Sequence, residues 1–261
     1  YMADRICYYR DGASASVSIV ATTNDVRSLR IDGRVQASNT GDMPTQIMIS
    51  QLPLLLHRGP VRNVLIVGLG SGVTAGSATS HPGVHVDAVE ISPEVVECAR
   101  KFYADANRNV CDRPEARVLV EDARSHIAFT DRKYEVICAE PSHVVISGMG
   151  DLFTREYYEL CRARLTPGGT MCQWVQAYWH SADDIRTIIA TFSSVFPQTW
   201  MWEVEPGADY LLIGTSAGID VKAVSSRWTG PVAEEMSRIR FTRPAHHLAG
   251  YVAGTEELAR W

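Results

Sequence analysis

The chain has 261 residues, a formal net charge of −5 and a pI near 5.9, with 46% of residues hydrophobic and 21% charged. This balance suits one globular α/β domain with a small appendage and leaves ample apolar surface for a core. The acidic balance, without a basic run, argues against nucleic acid as a partner, and no apolar run reaches the ~18 residues of a membrane span.

The six cysteines (Cys7, Cys98, Cys111, Cys138, Cys161, Cys172) show no C-x-x-C spacing, and several lie in apolar segments. They read as reduced, mostly buried thiols of a cytoplasmic protein. No metal site is expected: the adjacent His246 and His247 would point about 100° apart on a helix. No signal peptide is expected from this sequence. The chain begins at Tyr1 without an initiator Met and stops at Trp261 in helix-like sequence, so it reads as a piece of a longer protein.

Residues 1–44 form a β-rich N-terminal segment. Val17-Ser18-Ile19-Val20 alternates at period two, and Asp32-Gly33 between Ile31 and Val35 is a hairpin turn signal. Residues 45–57 read as helical, with Pro53 expected to kink or divide them. An alternating region over 45–215 follows. Its strands are predicted at 63–67, 84–89, 117–120, 134–139, 169–175, 198–204 and 209–214. Its helices are predicted at 72–80, 92–104, 123–128, 154–164 and 181–195. Ser92 as N-cap, Pro93 at the first helical position and Glu94 in the first turn mark one helix start. Such alternation predicts a mostly parallel seven-stranded sheet covered by helices on both faces. The last two strands, joined by Glu205-Pro206-Gly207-Ala208, must form an antiparallel hairpin. Residues 216–261 read as a helical tail.

The first strand of that region runs straight into Gly68-Leu69-Gly70-Ser71-Gly72, and the second ends at Glu90, twenty residues after Gly70. Strand, glycine turn, helix, strand, acid is the layout of a nucleoside-binding unit. The dinucleotide pattern G-x-G-x-x-G fails at Val73, which argues against a nicotinamide dehydrogenase. The tighter G-x-G-x-G spacing, with the terminal hairpin, indicates a class I methyltransferase-like fold that takes S-adenosylmethionine or a derivative. Ligands in such folds sit beyond the carboxyl ends of the strands. Gly68, Gly70, Ser71, Gly72, Glu90 and Ile91 are therefore candidate nucleoside contacts, Glu90 on the ribose hydroxyls. Asp122 and Ala123 would meet adenine, although Asp122 also reads as a helix N-cap. Glu140, after the fourth strand of the region, would face the reacting centre and orient or deprotonate an amine, with His143 as a second candidate base. Ser147, Gly148 and Gly150 suit a lid, and Trp174, Tyr178 and Trp179 suit an apolar pocket wall.

Ile31-Asp32-Gly33-Arg34-Val35-Gln36, Gln51-Leu52-Pro53-Leu54, the glycine loop, Val89-Glu90-Ile91-Ser92, Asp122, Tyr134-Glu135-Val136-Ile137, Leu152-Phe153-Thr154-Arg155-Glu156-Tyr157-Tyr158 and Pro167-Gly168-Gly169 with Gln173 together resemble the spermidine synthases. Gly68 to Gly76 and Glu140-Pro141-Ser142 are similar to a bacterial branch in which such a domain follows membrane helices. The resemblance covers residues 8–215. It implies nucleoside contacts at Gln36 and Glu90, with Asp122 near adenine. It further implies aminopropyl transfer from decarboxylated S-adenosylmethionine to a small-molecule amine in polyamine biosynthesis, and a homodimer through the N-terminal part. The chain departs from the family where the family grips its amines. An Asp in the glycine loop is Ser71, a Tyr-His pair is Thr45-Gln46, two catalytic-loop aspartates are Glu140 and His143, and a Glu near the fifth strand is Val175. The expected function is alkylation of an amine acceptor by aminopropyl or aminocarboxypropyl transfer, from S-adenosylmethionine or its decarboxylated form. Methyl transfer from S-adenosylmethionine, or nucleoside sensing without turnover, are the alternatives.

Overall fold

The computed structural model describes residues 4–141, 148–178 and 180–261. The N-terminal segment is an antiparallel meander of β1 (Arg5–Asp11), β2 (Ser16–Ala21), β3 (Arg27–Ile31) and β4 (Arg34–Ser38). Asp32 and Gly33 take φ of 49° and 77°, the positive-φ pair that a two-residue hairpin needs.

Then come α1 (Met43–Leu56), β5 (Asn63–Val67), α2 (Val73–Ala78), β6 (His85–Glu90), α3 (Pro93–Phe102), β7 (Ala116–Val120), α4 (Ala123–Phe129) and β8 (Tyr134–Ala139). After these follow α5 (Arg155–Arg164), β9 (Leu165–Gln176), α6 (Ala182–Val195), β10 (Gln198–Glu205) and β11 (Asp209–Thr215). The tail carries α7 (Val224–Arg227), α8 (Gly230–Ser237), β12 (Tyr251–Ala253) and α9 (Thr255–Leu258). All seven expected strands are present. The main sheet has the order β12-β10-β11-β9-β8-β5-β6-β7, parallel from β9 to β7 and antiparallel from β9 to β12.

Alternation along the strands builds two cores. Val64 and Ile66 of β5 face the layer holding α1, α2 and α3, while Leu65 and Val67 face the layer holding α5 and α6. The second layer is aromatic: Tyr158 meets Phe192 edge-on at 5.1 Å, and Phe192 lies 4.7 Å from Phe196.

Two expectations are corrected. Pro53 does not divide its segment; α1 runs unbroken through it, with His57 N–H reaching Pro53 O at 2.9 Å. The helix is buried on nearly every side, and that burial outweighs one lost backbone bond. Its last carbonyls are tied by the tail: Arg227 donates to Leu55 O at 2.8 Å, to His57 O and to Gly59 O at 2.7 Å. The tail is not purely helical either, since β12 adds an eighth strand. Tyr251 and Ala253 pair with Trp202 and Met201 and cover the edge of β10. The Trp202 ring meets Tyr251 edge-on at 5.3 Å, and its Nε1 donates to His247 O at 3.0 Å. Among the described residues no helix is long and apolar enough to cross a membrane. None of the six cysteines is in a disulfide.

α2 lies so close to the segment after α3 that a Cβ at Gly76 would sit 1.9 Å from Asn107 O. Asn107 Nδ2 in turn donates to Ser71 O at 2.8 Å, so this contact also holds the glycine loop. Gly76→Ala is expected to cost about 3 kcal/mol, the upper range for overpacking, and to weaken nucleoside binding as the loop shifts. Thermal unfolding and calorimetry on the variant check both effects.

Candidate active site

The strand order reverses between β5 and β8, and the crevice outside their carboxyl ends is where such folds bind ligands. A cavity of about 630 Å³ lies there, a volume in the range of small-molecule sites. Gln36, Gly68, Gly70, Ser71, Glu90, Ile91, Asp122, Ala123 and Glu140 all line it. The β4 strand of the meander forms its roof through Val35, Gln36 and Ala37. Gly72 does not line it. That residue starts α2, and a Cβ there would lie 2.9 Å from Asn107 Nδ2 and 3.1 Å from Val110 Cγ1. His143, Ser147 and Trp179 lie outside the described residues. Gly148, Met149, Asp151 and Leu152, from the turn that follows, line the cavity.

Glu90 is buried, and both its oxygens are engaged. Leu69 N–H donates to Oε2 at 3.1 Å and Ser92 N–H to Oε1 at 2.9 Å. The carboxyl therefore fixes the glycine loop and the turn into α3. Burial raises its pKa, opposed by these backbone N–H groups. Ser92 caps α3 as expected, accepting from Val95 N at 3.2 Å. Asp122 caps α4, accepting from Ser125 N at 2.7 Å, and still lines the cavity beside Ala123 and Arg124. Among the described residues Gln36 Nε2 is buried without a hydrogen-bond partner, a costly condition for an amide donor.

The opposite end of the cavity holds residues that the motifs did not mark. Thr45 Oγ1 donates to Asp209 Oδ2 at 2.7 Å, and Trp174 Nε1 donates to Asp209 Oδ1 at 3.1 Å. Asp209 is buried at the start of β11 and lines the cavity with Trp174 and Tyr178. The Tyr178 hydroxyl is pushed up to about 12, chiefly by burial, with the Asp209 and Asp42 carboxylates adding to the rise. Asp42 accepts from Ser38 N and from Gln46 Nε2 at 2.9 Å, and its pKa is raised by burial. Gln46 also accepts from Ser71 Oγ. Thr45 thus ties the start of α1 to Asp209, and its neighbour Gln46 ties Asp42 to the glycine loop. Sequence reasoning missed Asp42 and Asp209 because neither sits in a glycine-loop or strand-end motif; they come together only when α1 and the β10–β11 hairpin meet. This end of the cavity is therefore acidic, although Ser71 and Val175 stand where acids were expected.

Glu140 follows β8, with its backbone N–H on Val67 O at 3.0 Å. Its Oε2 lies 2.6 Å from Thr74 Oγ1, and its Oε1 is buried without a partner among the described residues. Burial holds the carboxyl well above the usual carboxylate range, and the nearby Glu90 and Asp42 add to the rise.

Residues 43–211 match the family model described as the spermine/spermidine synthase domain. The chain is 30% identical over 201 residues to polyamine aminopropyltransferase 2 of Pseudomonas aeruginosa, covering 76% of this chain and 57% of that protein. It is 30% identical over 229 residues to spermidine synthase of Dictyostelium discoideum, covering 86% and 78%. Putrescine N-methyltransferase 2 of Nicotiana tabacum is 28% identical over 236 residues, covering 86% and 66%. The chain thus spans little more than half the length of the Pseudomonas relative. In fold it matches a crystal structure of spermidine synthase in complex with the transition state analogue AdoDATO, with TM-score 0.77, 20% identity and 100% and 90% of the two chains covered. The spermidine synthase of Thermotoga maritima matches with TM-score 0.78, 19% identity and the same coverage. The chain belongs to the spermine/spermidine synthase family.

Glu90→Gln is expected to weaken binding of 5′-methylthioadenosine by about 5- to 100-fold, since an unmade buried hydrogen bond costs roughly 1–3 kcal/mol. Calorimetric titration of variant and parent checks this; equal affinities would remove Glu90 from the nucleoside site.

Proposed function

We propose that this chain transfers an aminopropyl group from decarboxylated S-adenosylmethionine to an amine of a di- or polyamine. The observation that carries the proposal is the charge of the cavity. Among the described lining residues, Asp32, Asp42, Glu90, Asp122, Glu140, Asp151 and Asp209 are acids, and Arg124 is the single basic side chain. Such a lining concentrates cations and disfavours anions. Decarboxylated S-adenosylmethionine carries a sulfonium and an ammonium, whereas the intact form adds a carboxylate to both. A diamine acceptor is likewise cationic.

In this reading adenine lies by Asp122 and Ala123, the ribose by Glu90 and Gln36, and the sulfonium beyond the glycine loop at Glu140. The acceptor enters from the Asp209 end. Asp209 takes its distal ammonium between the Trp174 and Tyr178 rings, whose faces suit a cation. The lone pair of the near amine attacks the methylene carbon next to sulfur. A C–N bond forms as the C–S bond breaks, the bonding pair stays on sulfur, and 5′-methylthioadenosine leaves as a neutral thioether. The cavity supplies position and a field rather than covalent chemistry.

Methyl transfer from intact S-adenosylmethionine is the second reading. It is supported by the similarity to a putrescine N-methyltransferase and by Ser71, which brings no charge to the loop. Incubation with each donor and with putrescine or spermidine, followed by product mass, separates the two. The proposal predicts an acceptor carrying an added aminopropyl group, together with 5′-methylthioadenosine. An added methyl group with the intact donor would replace it, and binding of both donors without any product would make the chain a sensor. Asp209→Asn is expected to raise the acceptor KM by about 10- to 100-fold, in line with roughly 1.5–3 kcal/mol for a charged hydrogen bond. Steady-state kinetics, with nucleoside affinity measured alongside as the unchanged quantity, checks this.

A further inference from the structure

Thr74 sits on α2 between two oxygens. Its Oγ1 is 2.9 Å from the Gln46 carbonyl oxygen and 2.6 Å from Glu140 Oε2. A hydroxyl carries one hydrogen, and the carbonyl carries none. If the Thr74 hydrogen goes to Gln46 O, the shorter contact needs a hydrogen from Glu140. The alternative sets a Thr74 lone pair against the carbonyl and leaves a buried carboxylate with one hydrogen bond.

The surroundings of Glu140 favour the first arrangement. Its Oε1 is buried without a partner among the described residues, a severe cost for a charged oxygen. Among the described residues the titratable groups acting on it are acids: Glu90 at the end of β6 and Asp42 before α1, while on its own strand Cys138 is a buried thiol. The glycine loop and α2 bring no cation to it, and among the described residues Glu140 forms no ion pair.

From this geometry we infer that Thr74 and Glu140 together hold a proton in the resting chain, and that binding of a cationic donor expels it. Thr74 is thereby a positioning residue that sets when Glu140 becomes a base. The inference rests on the sulfonium donor of the proposed function. On binding, the sulfonium takes the place of the proton as the positive charge beside Glu140. The carboxylic acid ionises, its proton goes to solvent, and the Thr74 hydrogen turns from Gln46 O to Glu140 Oε2. Glu140 then accepts the proton of the acceptor ammonium and frees the lone pair that attacks carbon. The products are a secondary ammonium and a neutral thioether, and Glu140 is again an acid. One proton is released per turnover, at donor binding, and the resting state is restored.

Calorimetric titration at one pH in two buffers of different ionisation enthalpy counts the protons. Decarboxylated S-adenosylmethionine is expected to release about one proton per site near pH 7, and the neutral 5′-methylthioadenosine none. Glu140→Gln should abolish the release while still binding the thioether. Thr74→Val should strongly reduce it, and Thr74→Ser should restore it. No release with the cationic donor, equal release with the thioether, or full release in Thr74→Val would overturn the inference. Thioether binding without donor-linked release sinks this inference alone, whereas failure to bind either ligand sinks the nucleoside reading and this inference with it.

Discussion

The site depends on how closely β5 and β8 end beside each other. Gly68 leaves β5 with φ of 88°, and a Cβ there would lie 3.1 Å from the backbone oxygen of Glu140 and 3.3 Å from its Cγ. A side chain at 68 would press on the strand end that carries Glu140 and would demand a backbone conformation that L residues resist. With glycine in place, Gly68 N–H reaches Val89 O at 2.9 Å and Glu140 N–H reaches Val67 O at 3.0 Å. Three strand ends are thereby joined at one point. Glu90 and Glu140 are two products of that junction, one on each side of β5.

The two acids face different surroundings. Glu90 receives backbone N–H groups from the loop it organises, and these stabilise charge. Glu140 receives one hydroxyl contact and the field of other acids. Similar side chains are thus placed in different electrostatic surroundings, as one fold needs if it is to carry out both acid and base chemistry. The acidic cavity as a whole favours cations, and Asp42 and Asp209 extend that preference to the end where an acceptor would enter.

Much of this was legible in the sequence because it is local. Alternating apolar runs located the seven strands, Ser92-Pro93-Glu94 located the start of α3, and Asp32-Gly33 located a hairpin turn. The glycine loop, Glu90, Asp122 and Glu140 were legible because strand ends project into the crevice in this fold class. Contacts between segments distant in the chain were not legible. Asp209 lies 164 residues from Thr45 and Glu140 lies 66 from Thr74, and no spacing rule links them. The sequence therefore reads as short of acids at the Asp209 end of the cavity, from Ser71 and Val175 among others, although Asp42 at the start of α1 and Asp209 of the β10–β11 hairpin supply them. The run through Pro53 and the β12 strand were missed for a related reason. Burial of α1 on nearly every side and the open edge of β10 decided them, overriding local propensity.

An acidic nucleoside cavity is expected to select a doubly cationic sulfonium donor. The direct measurement is the calorimetric affinity of the purified chain for decarboxylated and for intact S-adenosylmethionine under identical low-salt conditions. The account predicts tighter binding of the decarboxylated form, by about tenfold or more (~1.4 kcal/mol), with the difference narrowing as salt screens the cavity. Equal affinities, or tighter binding of the intact form, would contradict it.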